Sequence, residues 1–364
     1  MTRRIAIAGW FGSDNLGDEL ILQSLIQSLR ARGAEPVVIS IDSARTRRDH
    51  AVNAVAHRNP GHSPTLRRSL GNIDGMAVAG GIIQSETSPW NIPFHTSRLR
   101  AGARAGCAMA AVGIGVGHVH GWLGRGLSRS SLKRFDRIVV RDAESAQRLR
   151  QWGLDDAVVG ADPALALEPP PVDPDDTMCV ILRPSNRRGP RTAAGKAKQA
   201  RKTTGQAPTL DRIARAIDEA AAATGLAPRF VAFQASRDGP LHDQVADRLT
   251  ATAEVLTPTL DTVSAEVARS RLVVTMRYHG AIVALVHDRP AVMLDASPKM
   301  ASLAAEGGGW APRLGLGQFE AGRLAPAAAD ALKAGTRRAE ARGELTERLA
   351  VNDAALDALT GRAG

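Results

Sequence analysis

Short apolar runs alternate along this chain with stretches in which apolar residues recur at helical spacing. In the first half the runs predict strands at 4–8, 36–40, 76–79, 109–114 and 137–141, with helices at 18–30, 96–104 and 142–151. A second series restarts at Met178-Cys179-Val180-Ile181-Leu182. It continues with strands at 229–233, 271–275 and 291–295 and with helices near 209–223, 241–250, 260–269 and 279–286. Uninterrupted apolar strands that alternate with helices belong to parallel sheets covered on both faces. Between the two series, Glu168-Pro169-Pro170-Pro171-Val172-Asp173-Pro174 reads as a stiff, extended linker. The expected fold class is therefore α/β, with two Rossmann-like domains and parallel sheets at 1–168 and 178–320. A Pro-rich linker at 169–177 joins them, and a helical tail at 321–364 is expected to pack on the outside. Such domains bind ligands at the carboxyl ends of their strands, here expected in an interdomain cleft.

Composition sharpens this picture. A length of 364 residues suits roughly two domains. Aromatic residues make up only 3% of the chain, so Ala, Val, Leu and Ile must build the core. Cys107 and Cys179 sit in apolar, strand-like contexts and read as small core residues of a reduced, cytoplasmic protein. Gly9 and Asp14 interrupt the N-terminal apolar patch too early for an export signal. Residues 105–124 carry no formal charge, but their six Gly and two His suit a buried strand with its loop better than a membrane span. No transmembrane segment is expected; contact with a membrane surface and the oligomeric state are left open.

The formal net charge is +10, and only six of the 47 basic residues are Lys, a skew that genomic base composition can produce alone. From Arg183 to Lys202 there are eight basic residues and no acidic one. The segment 187–202 reads as a solvated loop or as an electrostatic lid for an anionic ligand. It has no aromatic residue on which bases could stack, so nucleic acid is not an expected partner. The nine His are scattered, apart from His118-x-His120, and no metal site is expected.

The candidate chemistry lies at two strand-to-helix junctions. Met276-Arg277-Tyr278-His279-Gly280-Ala281 follows the strand Leu272-Val273-Val274-Thr275 and opens a helix. A helix N-terminus, an Arg fork and an imidazole together make a receptor for phosphate or carboxylate. Near the N-terminus, Gly9-Trp10-Phe11-Gly12-Ser13-Asp14-Asn15-Leu16-Gly17-Asp18-Glu19 also joins a strand to a helix. Its glycine spacing is not that of a dinucleotide site, and two carboxylates occupy the place of a pyrophosphate.

These two segments resemble the polysaccharide pyruvyl transferases. Segments in matching order support the resemblance: Gly80-Gly81-Ile82-Ile83-Gln84 followed by Thr87-Ser88, Gly113-Ile114-Gly115, Val140-Arg141-Asp142-Ala143-Glu144-Ser145, Ala161-Asp162-Pro163, Leu182-Arg183-Pro184 and Ser297-Pro298-Lys299. It runs from residue 5 to about residue 305. The resemblance implies a GT-B-like fold and transfer of the pyruvyl group of phosphoenolpyruvate to a saccharide or glycoconjugate, with no cofactor beyond that co-substrate. It implies donor binding by Arg183, Arg277, His279 and Lys299, and an acceptor or cleft loop with Asn15, Gly17, Gln84, Thr87 and Ser88.

A donor that carries both phosphate and carboxylate needs at least two fixed cations, which Arg183 and Arg277 supply. His279 and His118 are candidates for proton transfer or charge stabilisation, His118 alternatively being an exposed loop residue. The family pattern Gly-Gly-Gly-x-x-Gln-Asp-x-Thr-Ser departs here, with Ser85 at the Asp position and Glu86 one place later. On an extended backbone that shift turns the carboxylate to the other side, which leaves Glu86, Asp14 and Asp18 as candidate bases. Two further readings stay open. One is a GT-B-like glycosyltransferase using a nucleotide sugar, for which Asp295 is the nearest ribose-binding candidate; the other is a non-catalytic anion-binding relative.

Overall fold

The computed structural model describes residues 2–86, 88–184, 209–295, 298–315 and 323–361. Thr87, Ser297 and the basic segment 187–202 lie outside them. The chain forms two compact units, one of residues 1–167 with 344–364 and one of residues 168–343.

The first unit holds a seven-stranded sheet made of β1 (Arg4–Ala8), β2 (Glu35–Ser40), β3 (Asn53–Ala56), β4 (Gly75–Val78), β5 (Ala108–Ile114), β6 (Arg137–Val140) and β7 (Val158–Val159). Their order is β3-β2-β1-β4-β5-β6-β7, with every pair parallel. Ile5, Ala6, Ile7, Ala77, Val78, Ala111 and Val112 are fully buried, because helices cover both faces. These helices are α1 (Leu16–Ala31), α2 (Ser43–His50), α3 (Ser63–Ser69), α4 (Asn91–Ala105), α5 (Gly121–Leu132) and α6 (Ala143–Gln151). Five of these elements are absent from the sequence reading. α2, β3 and β7 bury few residues, α3 begins Ser-Pro-Thr, and α5 is rich in Gly and Ser, so none carries a strong apolar period.

The second unit repeats the plan with β8 (Asp175–Ile181), β9 (Ala227–Val231), β10 (Glu254–Leu256), β11 (Ser270–Thr275), β12 (Ala291–Asp295) and β13 (Arg313–Gly315). The order is β10-β9-β8-β11-β12-β13, again parallel throughout. Its helices among the described residues are α7 (Leu210–Thr224), α8 (Ala235–Ala246), α9 (Leu260–Ala268), α10 (Tyr278–Val286), α11 (Pro298–Ala305) and α12 (Leu324–Lys333). β8 begins at Asp175, inside the stretch that reads as linker, because Asp175 already pairs with Ser270.

The C-terminal segment is divided between the units, and it is not merely external. Leu324 and Ala328 of α12 are fully buried within the second unit. The long helix α13 (Gly335–Thr360) contributes its end to the first unit. There Arg32 pairs with Asp353 and Asp357, each at 2.8 Å, and the Asn352 amide donates to Ala161 O at 2.9 Å.

Both sheets reverse strand order beside their first strand, between β1 and β4 and between β8 and β11. At such a reversal neighbouring loops leave in opposite directions and open a crevice at the carboxyl edge.

Burial also sets how folding responds to acid. His57 and His287 are held down at about 4, in each case by burial first and then by a neighbouring cation, Arg98 or Arg289. Burial keeps His95 well below its ordinary value. The unfolded chain therefore binds protons that the folded chain does not between pH 6.5 and about 4, so stability must fall with pH across that window. Asp42 and Asp175, lowered from 3.8, act only at more acid pH. The melting temperature should be flat from about pH 8 to 7 and decline through the histidine window. A melting temperature unchanged down to about pH 4.5 would show that these imidazoles accept protons in place.

Candidate functional site

In the second unit the site grows from the ends of β8 and β11. Met276 N still donates to Ile181 O at 2.8 Å, one residue beyond the β11 strand. The chain then turns at Arg277 into α10. Thr275 Oγ1 accepts from Arg277 N and donates to Arg277 O, both at 2.9 Å, which fixes that turn. A Cβ on Gly280 would lie 2.5 Å from Thr275 Oγ1 and 2.7 Å from Ile181 Cδ1, so only glycine lets the helix start this close to the strands.

Arg277 is locked by Asp238. Its Nε donates to Oδ2 at 3.1 Å and its Nη2 to Oδ1, while Nη2 also reaches Gln234 Oε1 at 3.3 Å. Asp238 is fully buried and accepts Gln234 N at 2.9 Å. Arg183, half-buried at the end of β8, has its pKa lowered by burial first and then by the charges of Arg277 and Arg237, with Asp238 opposing. Three guanidinium groups thus share one neighbourhood with the Asp238 carboxylate at the strand reversal. His242, also buried, has its Nε2 3.1 Å from both the N and the O of Leu182, and so braces the residue that precedes Arg183. Among the described residues its Nδ1 meets no hydrogen-bond partner, and burial lowers its pKa. His279 lies half-buried in the first turn of α10, with its ring 5.4 Å from that of Tyr278, edge to face. Lys299 is in the first turn of α11, one strand further along the same carboxyl edge.

Sequence reasoning missed Gln234, Arg237, Asp238 and His242. Gln234 caps α8 and the other three lie within it, the helix beginning at Ala235 rather than near residue 241. Gly239-Pro240 reads as a helix breaker, yet Pro240 lies inside the helix.

In the first unit the Gly-rich loop follows β1. Gly12 has φ +79°, and a Cβ there would lie 2.1 Å from Ser40 Oγ. The buried Glu19 carboxylate accepts Gly12 N at 2.9 Å and Ser13 N at 3.1 Å, and its other oxygen meets His50 Nε2 at 2.9 Å. Glu19 therefore fills with the protein's own anion the N–H cradle that would otherwise take a phosphate. Asn15 Nδ2 donates to Asp18 Oδ2, and Asp18 Oδ1 lies 3.7 Å from a Cβ built on Gly80, so Asp18 faces the Gly80-Gly81 turn after β4. Gly17 is buried within α1, and Asp14 is half-buried.

Beyond that turn, residues 83–86 run beside residues 115–118. Gly117 N donates to Ile83 O at 2.8 Å and Ser85 N to His118 O at 2.9 Å. Ser85 Oγ accepts His120 N at 2.8 Å, and Glu86 Oε1 accepts His118 N at 2.9 Å. The one-residue shift does not turn Glu86 away, because the chain bends at Glu86 and both side chains reach the 118–120 segment. Gln84 packs against Gly117, and His118 is exposed with its ring 4.5 Å from that of His120. Ser88 Oγ accepts Trp90 N at 3.2 Å just before α4.

A further residue missed from sequence is Arg98 of α4, almost completely buried. It donates to His57 Nδ1 at 3.1 Å, to His57 O at 2.8 Å and to Gly9 O, and it stands 4.2 Å over the Phe94 ring. Burial lowers its pKa to about 9, so it stays charged at neutral pH. None of its hydrogen-bond partners is a carboxylate. Trp10, 37% exposed, stands edge-on to Phe94 and His95 beside the same loop.

The polysaccharide pyruvyl transferase family model matches residues 15–298 of this chain. No curated protein matches it by sequence. Among solved structures it is similar to MnaA of S. aureus, a co-structure with UDP, at 14% identity over 94% of this chain and 91% of that one, with a TM-score of 0.60. A glycosyltransferase from Rickettsia africae aligns over 100% of both chains at 10% identity and a TM-score of 0.61. MurG of Acinetobacter baumannii aligns over 97% of this chain and 99% of its own, at 11% identity and a TM-score of 0.52. At such identities the likeness concerns the fold, two parallel Rossmann-like sheets of the GT-B-like kind.

The Arg98 arrangement is open to direct test. Arg98→Met keeps the length but leaves Gly9 O and both His57 acceptors without their donor, a loss of about 3 kcal/mol or more. Urea unfolding measures it, and Arg98→Lys should restore only part, since an ammonium cannot span three divergent acceptors. Wild-type stability in Arg98→Met would mean that the fork does not hold the loop.

Proposed function

The chain belongs to the polysaccharide pyruvyl transferase family, and on that premise we propose that it moves the pyruvyl group of phosphoenolpyruvate onto two hydroxyls of a saccharide. The observation that carries this reading is the clustering of Arg183, Arg237 and Arg277 around Asp238 at the β8/β11 reversal. A small polyanion with phosphate at one end and carboxylate at the other needs fixed forks of this kind. Asp238 keeps Arg277 in one rotamer, so the fork is oriented before the donor arrives.

In the proposed reaction the methylene carbon of phosphoenolpyruvate takes up a proton, and the adjacent carbon becomes electrophilic. One acceptor hydroxyl adds to that carbon and gives up its proton, which balances the proton taken up. A second hydroxyl of the same sugar then displaces phosphate with cleavage of the carbon–oxygen bond, and its proton leaves with the phosphate. His279 beside Arg277 stabilises the charge that develops on the donor, with Lys299 as a further cation of that edge. Asp18, Glu86 and His118 are the groups assigned to the acceptor hydroxyls. Glu86 and His118 are already tied together through His118 N. Trp10 offers a partly exposed indole on which the apolar face of a pyranose can rest. The reaction as written balances without a further cofactor.

The solved structures of similar fold include one with UDP, so nucleotide sugars are the competing donors. Here the likeliest ribose-binding carboxylate, Asp295, faces Arg313 at 3.9 Å. A thermal-shift panel of phosphoenolpyruvate, inorganic phosphate and UDP-sugars decides between donors by mass action. Stabilisation by UDP-sugars alone would remove the proposal.

Arg277→Lys retains charge but loses the planar fork, so kcat/KM for phosphoenolpyruvate should fall on the order of 100-fold. His118→Ala, on the other unit, should lower turnover with acceptor while leaving phosphoenolpyruvate affinity nearly intact. Calorimetric titration of the donor into both variants reads the difference; equal loss of donor affinity in the two would defeat this division of roles.

A further inference from the structure

The longest acid-free stretch of the chain runs from residue 87 to residue 135. It contains Arg98, Arg100, Arg104, Arg125, Arg129, Lys133 and Arg134. The three most exposed large apolar side chains among the described residues lie in the same stretch: Trp122 at 75%, Trp90 at 72% and Leu123 at 67%. The three exposed apolar side chains, and the basic residues from Arg125 to Arg134, are not used by the site described above.

The fold brings them to one edge. α4 and α5 are successive crossovers, β4 to β5 and β5 to β6, in a sheet that advances in one direction there, so both lie on the same face and run the same way. Arg100 Nη2 donates to Ser130 Oγ at 3.2 Å between them. Trp90 immediately precedes α4, while Trp122 and Leu123 open α5, which puts all three at the carboxyl edge of the sheet. α5 buries Ser128, Ser131 and Leu132 and exposes the opposite face. At helical spacing Trp122, Gly126 and Arg129 form one stripe that continues to Lys133, with Arg125 on one side and Leu123 on the other. Apolar tip and basic flank therefore share a single exposed surface.

We propose that this surface docks on an anionic lipid bilayer. Trp90, Trp122 and Leu123 enter the boundary between headgroups and acyl chains, while Arg125, Lys133 and Arg134 face the anionic headgroups. Charge complementarity selects this occupant. A second copy on a two-fold axis would set the basic face against itself. A nucleic acid could stack on Trp122, but Leu123 offers a base nothing to stack on. Adjacent Trp and Leu side chains with basic residues behind them suit a bilayer boundary. His118 and His120 directly precede α5, so docking would hold that edge close to membrane-anchored saccharides. This consequence rests on the proposed function; the docking does not.

The test is co-sedimentation of the whole protein with vesicles of phosphatidylcholine alone or with about a quarter phosphatidylglycerol. Wild type should pellet with the anionic vesicles and not the neutral ones, and lose binding as salt is raised. W122S/L123S and, separately, R125Q/K133Q should each weaken the partition by about tenfold or more. Both variants change exposed positions, and an unchanged melting temperature confirms their folding. The proposal is overturned if wild type stays in solution with anionic vesicles, if it binds neutral vesicles equally well, or if both variants pellet like wild type. A change of oligomeric state in W122S/L123S, without vesicle binding by wild type, would assign the surface to a second copy instead.

Discussion

A parallel sheet cannot be closed by hairpins, and that constraint organises everything else in this protein. Each strand must be followed by a crossover, so helices cover both faces and every strand discharges its chain at the same edge. Where the order reverses, after β1 and after β8, neighbouring loops part and leave room that no other place on the sheet offers. The residues nearest those reversals cannot be chosen for packing alone. In the first unit they are Gly9 to Asp18 and Gly80-Gly81; in the second they are Arg183 and Arg277 with the start of α8.

The two reversals handle charge in opposite ways. In the first, Glu19 supplies a buried carboxylate to the N–H groups of Gly12 and Ser13, and His50 meets its other oxygen. The loop is thereby satisfied from within, and a ligand phosphate would meet like charge. In the second, Arg183, Arg237 and Arg277 share one neighbourhood with Asp238, and burial first, then the charges of Arg277 and Arg237, lower the pKa of Arg183. Cations forced into proximity gain most from an anion that relieves them. One fold repeated twice thus fills one loop with its own buried carboxylate and gathers guanidinium groups at the other.

How much of this was legible beforehand follows from which residues carry a period. β1, β5, β11 and β12 are uninterrupted apolar runs and announce themselves, as does α10, whose residues 281–285 are all buried. The edge strand β3, exposed at Asn53 and Ala56, and the mainly polar α2 bury too little to leave a pattern. Arg183, Arg277 and His279 were visible because each follows an apolar strand. Asp238 was not, since nothing local distinguishes a carboxylate beside Gly-Pro from any loop acid; its meaning comes from Arg277, which is distant in sequence. Glu86 shows the converse. An extended backbone would have turned it away, and a bend that no local pattern foretells brings it to His118 N.

The excess of Arg over Lys likewise gains a structural meaning that composition alone does not give it. Arg98 serves two carbonyls and an imidazole from one buried group. Arg141, also buried, joins Asp142 at 3.3 Å to Asp162 at 3.1 Å, and Arg277 spans both oxygens of Asp238. Arg32 reaches two carboxylates of α13 at once. A planar fork can satisfy several acceptors in fixed directions while its charge stays delocalised, whereas a buried ammonium must find three donors' worth of partners around one point. In a chain with so few aromatic side chains, these forks supply directional links between elements that Ala- and Val-rich packing does not. Part of the basic charge of the protein is therefore turned inward, as cross-links between loops at the sheet edges, and part lies outward, along α5.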